Sequence, residues 1–339
     1  MTSTVRYMTD SKTTLMSKPT VKGEVAKQYC DRFPHTPNLS LAKKLYKENP
    51  EVYKDVEQAR LHIRRLRDAN GDRARKQVGE RSKRLYRIPE SSADDWKPFL
   101  IPKSIKRLGI LCDVHIPYHD VNALKVACEY MKGNVDGILL NGDLLDFYAL
   151  SRFEKDPRAR SFAEELEAGR EFLGWLRQEF DVPIYYKLGN HEERYQKYLM
   201  NKAPELLDIE EFRLDILLKC GEFGVTVISD KRIIKHGYLD ILHGHEFFGA
   251  PSQAVNPARG VFMKTMESCV IGHLHKSSSH TETTLQGRMI TTNSIGCLCH
   301  LTPEYARINK WNHGFAINEL TDGATYILHN KRIFKGSVL

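Results

Sequence analysis

Five short apolar runs in the C-terminal two-thirds of the chain each end in residues that bind metals or carry protons. Residues 108–112 lead into Asp113-Val114-His115, and residues 137–140 into Asn141-Gly142-Asp143-Leu144-Leu145-Asp146. Residues 183–188 lead into Gly189-Asn190-His191-Glu192, 238–242 into His243-Gly244-His245, and 269–271 into Gly272-His273-Leu274-His275. Apolar runs this short, bounded by turn residues, read as buried strands. In open α/β sheets ligands bind beyond the carboxyl ends of the strands, which is where all five clusters fall. Alternation along an extended chain would set Asp113 with His115, and His273 with His275, on common faces, with Leu274 turned into the core. Taken singly, each cluster has an ordinary reading: a helix-capping Asp, a turn Asn, a core or loop His. Five together at strand ends predict a metal site.

The surrounding pattern predicts an α/β domain over 106–339. Helical stretches are expected at 121–132, 160–180 and around 204–219, and later strands at 289–292, 314–320 and 325–328. Upstream, apolar residues recur at helical spacing over about 22–32, 39–48 and 52–69, separated by Pro34, Pro37, Asn49-Pro50 and Asn70-Gly71. They predict a small helix-turn-helix-like module over 21–70, after a loose arm (1–20) and before a basic linker (71–105). Only the arginines of the third helix, Arg60, Arg64, Arg65 and Arg67, speak to function there, because its apolar stripe is core in any case.

Charge is uneven. Residues 1–100 hold 22 Lys and Arg against 13 Asp and Glu, a net of +9, whereas the remaining 239 residues net −1. This asymmetry points to a polyanion-facing appendage on a nearly neutral body. At 41% hydrophobic and 28% charged residues the chain has the balance of a globular protein with a sizeable core. No apolar run approaches the roughly 20 residues of a membrane span. The start has no apolar signal core, and seven scattered cysteines without a C-x-x-C fit a reducing cytoplasm. A cysteine-based zinc site is not expected, and Cys297 and Cys299 are expected simply to pack.

Carboxylate, imidazole and amide donors without thiolate suit Mn, Fe or Zn better than Mg or Ca. The donors exceed what one tetrahedral ion takes, so two ions are expected. Such a pair, about 3.5–4 Å apart, clamps the oxygens of an in-line displacement at phosphorus and lowers the pKa of water. Phosphoester hydrolysis is the expected reaction.

The order D-x-H, G-D-x-x-D, G-N-H-E, H-G-H and G-H-x-H resembles that of the calcineurin-like metallophosphoesterase family, over roughly residues 107–320. The resemblance implies a sandwich of mixed β-sheets flanked by helices. It further implies that Asp113, His115, Asp143 and His275 hold one ion, and that Asp143 bridges to a second held by Asn190, His243 and His273. Mn2+ is the expected metal, with Fe or Zn as alternatives. A hydroxide activated by the ion pair would attack, His191 would protonate the leaving oxygen, and Asp146 would orient that imidazole. His245, His119, Arg152, Arg194 and Arg259 are candidates for substrate contact, since Arg matches phosphate bidentately. His236, His280, His300 and His313 are read as structural.

These motifs set the reaction and leave the substrate open. The basic N-terminal third favours a nuclease or nucleic-acid phosphodiesterase, with nucleic acid as partner. The alternatives are a small-nucleotide phosphatase or phosphodiesterase, a protein phosphatase, or a non-enzymatic DNA-binding protein with a structural metal. His191 and Asp146 argue against the last, because only catalysis requires them.

Overall fold

The computed structural model describes residues 20–67, 89–93, 96–152, 161–229, 231–247, 255–321 and 325–339. The chain divides into two compact units, Met1–Ala93 and Asp94–Leu339. The arm expected before residue 20 and most of the expected linker lie outside the described residues.

In the first unit, helices α1 (Val21–Arg32), α2 (Asn38–Glu48) and α3 (Val56–Arg67) surround a core of their own. Ala26, Cys30, Leu41, Ala42, Leu45, Tyr53, Ala59 and Ile63 are buried together there. The third helix starts later than the periodicity suggests, because Pro50 to Asp55 form turns. The resulting connection from α2 to α3 is longer than the three or four residues of a helix-turn-helix. Arg67 differs from its reading as a functional arginine. Its guanidinium lies against the carbonyls of Phe33 and Thr36, 3.5 Å from that of Cys30, so it satisfies carbonyls at and just beyond the end of α1.

The second unit contains two packed sheets. One has seven strands: β2 (Arg107–Leu111), β3 (Gly137–Asn141), β4 (Ile184–Lys187), β5 (Val225–Ile228), β11 (His313–Leu320), β12 (Tyr326–Phe334) and β13 (Ser337–Val338). Its order is β13-β12-β11-β2-β3-β4-β5, parallel from β2 to β5 and antiparallel where β11 joins β2. The other has six: β1 (Phe99–Leu100), β6 (Ile234–His236), β7 (Leu239–Ile241), β8 (Cys269–Ile271), β9 (Ser278–Thr283) and β10 (Met289–Ser294), in the order β1-β6-β7-β8-β10-β9.

Each parallel strand is apolar on both faces because both are covered. Leu108, Ile110, Leu139 and Tyr185 face Ile234, Leu239, Ile241 and Val270 of the other sheet. Leu111, Ile138, Leu140, Ile184 and Tyr186 turn the opposite way, onto helices α4 (Val121–Met131) and α5 (Phe162–Glu179). The expected mixed-sheet sandwich with flanking helices is what the chain forms.

Several elements differ from expectation. The stretch 204–219 is broken into short turns and the single-turn α7 (Leu214–Leu217), not one helix. Two helices went unread: α6 (Glu192–Lys202) and α8 (Pro257–Thr265). Residues 99–105, assigned to the linker, are part of the sandwich. Phe99 and Leu100 pair with Ile234 and Lys235, and Ile101 and Ile105 are buried.

Candidate metal centre

The five ligand clusters follow β2, β3, β4, β7 and β8, so the centre forms where the carboxyl ends of strands from both sheets meet. The backbone does not continue as strand into them. Asp113, His115, Asp143, His273 and His275 all have φ between 50° and 66°. The simple alternation expected for Asp-x-His and His-x-His is therefore replaced by left-handed turns, an uncommon conformation for such residues that clusters at functional sites. Leu274 still packs, half-buried, against the cluster of Leu242, Val261, Cys269 and Ile271.

Hydrogen bonds hold these turns. The amides of Asp113 and His115 donate to the carbonyls of Gly142 and Asp143, at 3.2 and 3.0 Å. The His273 amide donates to the Asp113 carboxylate at 2.9 Å, and the His191 amide to Asp143 Oδ1 at 3.0 Å. Gly189 is required because a Cβ there would collide with the carboxylate and amide of Asp143. At Gly142, with φ 85°, a Cβ would strike the His243 ring.

Asp143 lies at the middle. Its Oδ2 is 3.2 Å from His243 Nε2, and 3.8 Å from both His115 Nε2 and His191 Nε2. Asn190 Oδ1 is 3.2 Å from the same His243 nitrogen. On the other side, His275 Nε2 is 3.3 Å from Asp113 Oδ1 and 3.2 Å from His115 Nε2. Donor atoms of Asp143, His243 and His273 lie within 4.8 Å of one another, as do those of His115, Asp143 and His191. A third such group joins His115, His275 and Cys299, and Asp143 is shared by the first two.

Ring tautomers are set from outside, as for metal-ligating histidines. His243 Nδ1 is 2.8 Å from the Asn141 carbonyl and His115 Nδ1 is 2.9 Å from Asp146 Oδ1, which leaves each Nε2 to face the centre. Asp146 therefore reaches two rings, that of His115 and that of His191, the residue it was expected to orient. Its carboxylate holds His115 more closely than His191, whose Nδ1 is 3.4 Å from it and 2.7 Å from the Asp146 carbonyl. His115 stands nearer because the turns after β2 and β3 pair directly, Ile116 with Leu145.

The electrostatics fit divalent cations. Burial opposes charge on His243 and His275, yet the Asp143 and Asp113 carboxylates push both up to about 10. Burial and the positive His243 press His273 down to about 4, and burial also lowers His115. The buried carboxylates demand nearby positive charge, which protonated His243 and His275 supply here and which a divalent metal would supply in their place, with all four imidazoles neutral.

Three supporting residues were not assigned roles from sequence. Glu192, 2% exposed, accepts from the amides of Asp143, Leu145 and Gly189 at 3.0, 3.0 and 2.7 Å. Glu246 accepts from the amides of His243 and Gly244 and pairs with buried Lys187 at 2.9 Å. Cys299 does more than pack: its Sγ is 3.9 Å from His275 Nδ1. Glu192 had a signal, its place in the Gly-Asn-His-Glu motif; the other two had none.

The remaining candidates separate. Arg194 reaches the centre, with Nη1 donating to the Asp146 carbonyl at 2.8 Å and Nη2 lying 2.9 Å from His191 Nε2. Arg152 lines a cavity with Asn190 and Arg194. His245 stands behind the ligands, its Nε2 3.0 Å from Glu193 Oε1. His119 lines a cavity with Leu124, Phe172 and Trp175, and its backbone pairs with that of Cys299. Arg259 is exposed on α8. His236 bonds the Ile105 carbonyl and Asn318, His280 pairs with Glu282, His300 lies against Thr302, and His313 bonds the Cys299 carbonyl.

The chain is similar to several known proteins. The chain is 29% identical over 226 residues to the Gene 54 protein of Mycobacterium phage L5, covering 62% of this chain and 88% of that protein. The Gene 54 protein of Mycobacterium phage D29 is 27% identical over the same shares. Among solved structures, a Vps29 variant from Entamoeba histolytica aligns at 14% identity over 69% of this chain and 96% of that one, with a TM-score of 0.37. YfcE, a phosphoesterase from E. coli, aligns at 16% identity over 65% and 96%, with a TM-score of 0.30. Residues 106–278 match the profile described as calcineurin-like phosphoesterase. With a profile match spanning half its length and a divalent-metal donor set at its strand ends, the chain belongs to the calcineurin-like phosphoesterase family and is a metal-dependent phosphoester hydrolase.

Proposed function

We propose that the substrate is nucleic acid and that the protein is a nuclease or nucleic-acid phosphodiesterase. One observation carries this reading: the net charge of +9 in residues 1–100, beside a near-neutral remainder. Lys and Arg concentrated in this way bind phosphate backbones independently of sequence and with strong salt dependence. In the described part of that segment, α3 presents exposed Arg64 and Arg65 on the side away from its buried Ala59 and Ile63.

Asp113, His115, Asp143 and His275 would hold one ion, and Asp143, Asn190, His243 and His273 the second, with Mn2+ the metal we expect. Such ions, when bound, supply an activated water and neutralise charge on phosphoryl oxygens. His191 would protonate the leaving oxygen; its Nε2 lies 3.8 Å from Asp143 Oδ2 and its Nδ1 2.7 Å from the Asp146 carbonyl, which supports that role. Burial opposes protonation of this ring, but the Asp143 and Asp146 carboxylates outweigh it and raise its pKa. Arg194 now occupies the position beside Nε2. A bound phosphate, which Arg pairs with bidentately, would take that guanidinium and leave Nε2 to the leaving oxygen.

The test is a substrate panel with Mn2+: single- and double-stranded DNA, RNA, and chromogenic mono- and diesters. The nucleic acids should be cut, and His191→Ala should lower kcat by roughly 100-fold or more, the size of a general-acid contribution. Hydrolysis of small esters with neither binding nor cleavage of any nucleic acid would overturn the reading.

A further inference from the structure

Helix α6 begins at Glu192, two residues after Asn190 and capped by His191, and it has two faces. Glu192, Tyr195 and Leu199 are buried and pack inward. Arg194, Tyr198 and Lys202 follow at i,i+4 spacing in one stripe flanking that buried face, with Lys197 one position before Tyr198. At 1.5 Å per residue, the stripe from Arg194 to Lys202 runs roughly 12 Å.

This stripe forms one wall of a cavity of about 550 Å³ that Arg152, Asn190 and Asn201 also line. Four of its side chains are cationic, and among the described residues no carboxylate lines it. Lys197 pairs with Glu193 at 2.6 Å, an exposed i,i+4 contact that contributes a few tenths of a kcal/mol and yields readily to a phosphate. Tyr198, 46% exposed, offers a ring face on which a base can stack.

A single phosphate at the metals reaches Arg194 and does not need Lys197 or Lys202, which lie one and two turns further along the helix. A stripe of roughly 12 Å corresponds to about three nucleotides of a stacked strand. The volume is that of a small-ligand site, enough for a few nucleotides and too small for a duplex. We propose that this cavity holds the backbone of a single nucleic-acid strand flanking the phosphodiester to be cut, with Lys197 and Lys202 contacting successive phosphates. The proposal rests on the nuclease reading and adds to it a strand class and a subsite.

The test uses the full chain with Mn2+ on oligothymidylates of two, four and eight nucleotides, alongside bis(p-nitrophenyl) phosphate. KM should fall about tenfold or more from the dinucleotide to the octanucleotide, and this advantage should shrink to less than about threefold in Lys197→Ala/Lys202→Ala. The slope of log KM against log salt on the octanucleotide should drop by about 1.4, near 0.7 for each phosphate contact on a single strand. If the double variant does not fold, Lys202→Gln alone should lower that slope by about 0.7. Variants that cut oligonucleotides with the native length dependence and salt slope would overturn the subsite and leave the nuclease reading standing. Hydrolysis of bis(p-nitrophenyl) phosphate with no cleavage of any oligonucleotide would overturn both.

Discussion

His273 and His275 are two residues apart, yet their rings face different neighbours. Their left-handed turns send His273 toward His243, with ring centroids 5.1 Å apart, and His275 toward His115, at 5.0 Å. Replacing each with Ala should therefore weaken a different ion. Calorimetric titration of the stripped proteins with Mn2+ should lose one binding step in each variant, and not the same one; loss of the same step in both would contradict the assignment. Glu192 acts by bracing the chain, through three buried amides around Asp143 and Gly189. Glu192→Gln keeps the size but replaces one acceptor oxygen with a donor group, and should cost about 10- to 100-fold in metal affinity or turnover. Unchanged Mn2+ affinity and kcat would show that the brace is dispensable.

At the scale of elements, the sequence shows where strands end better than what happens after them. The five motif runs are all strands, within about a residue or two, because continuous apolar character bounded by glycine leaves little alternative. The turns beyond them were misread as extended chain, since left-handed conformations at Asp and His leave no mark in composition. Helix α6 was missed because only Tyr195 and Leu199 carry its apolar face, the third inward residue being the bracing Glu192. The stretch 204–219 looked helical yet breaks up: the chain restarts at Pro204, Ile209, Phe212 and Ile216 remain exposed, and only its end, Leu214, Leu217 and Leu218, packs as a helical stripe onto the core. Strand β6 was missed as well, and it carries a polar pair inside the sandwich. His236 is fully buried between the Ile105 carbonyl and Asn318, and its burial lowers its pKa. A depressed histidine pKa means that the unfolded chain takes up the proton more readily. The stability it supports is therefore present above about pH 6.5 and is lost as pH falls below it, at up to about 1.4 kcal/mol per pH unit. Urea unfolding of native protein and His236→Gln between pH 7.5 and 5.5 should show a smaller pH slope in the variant; equal slopes would exclude His236 as the source.

For the whole molecule, the two units divide the chemistry from the charge. The Asp94–Leu339 unit holds every proposed metal ligand, and the strongly basic segment lies almost entirely before it. That charge asymmetry was plain in the sequence, but which arginines are surface was not, since Arg67 proves to cap a helix. Arg64→Glu/Arg65→Glu should weaken DNA binding at low salt by about tenfold or more and flatten its salt dependence, measured by fluorescence anisotropy. Binding indistinguishable from native would remove α3 from the interface. The central claim is that a centre bridged by Asp143 hydrolyses phosphoesters with two divalent ions. Its most direct test is to strip the protein with chelator, add Mn2+ stepwise, and follow turnover of bis(p-nitrophenyl) phosphate. Activity should be absent at the start and saturate near two equivalents, with Asp143→Asn inactive throughout; full turnover in the stripped protein, or native turnover in Asp143→Asn, would contradict it.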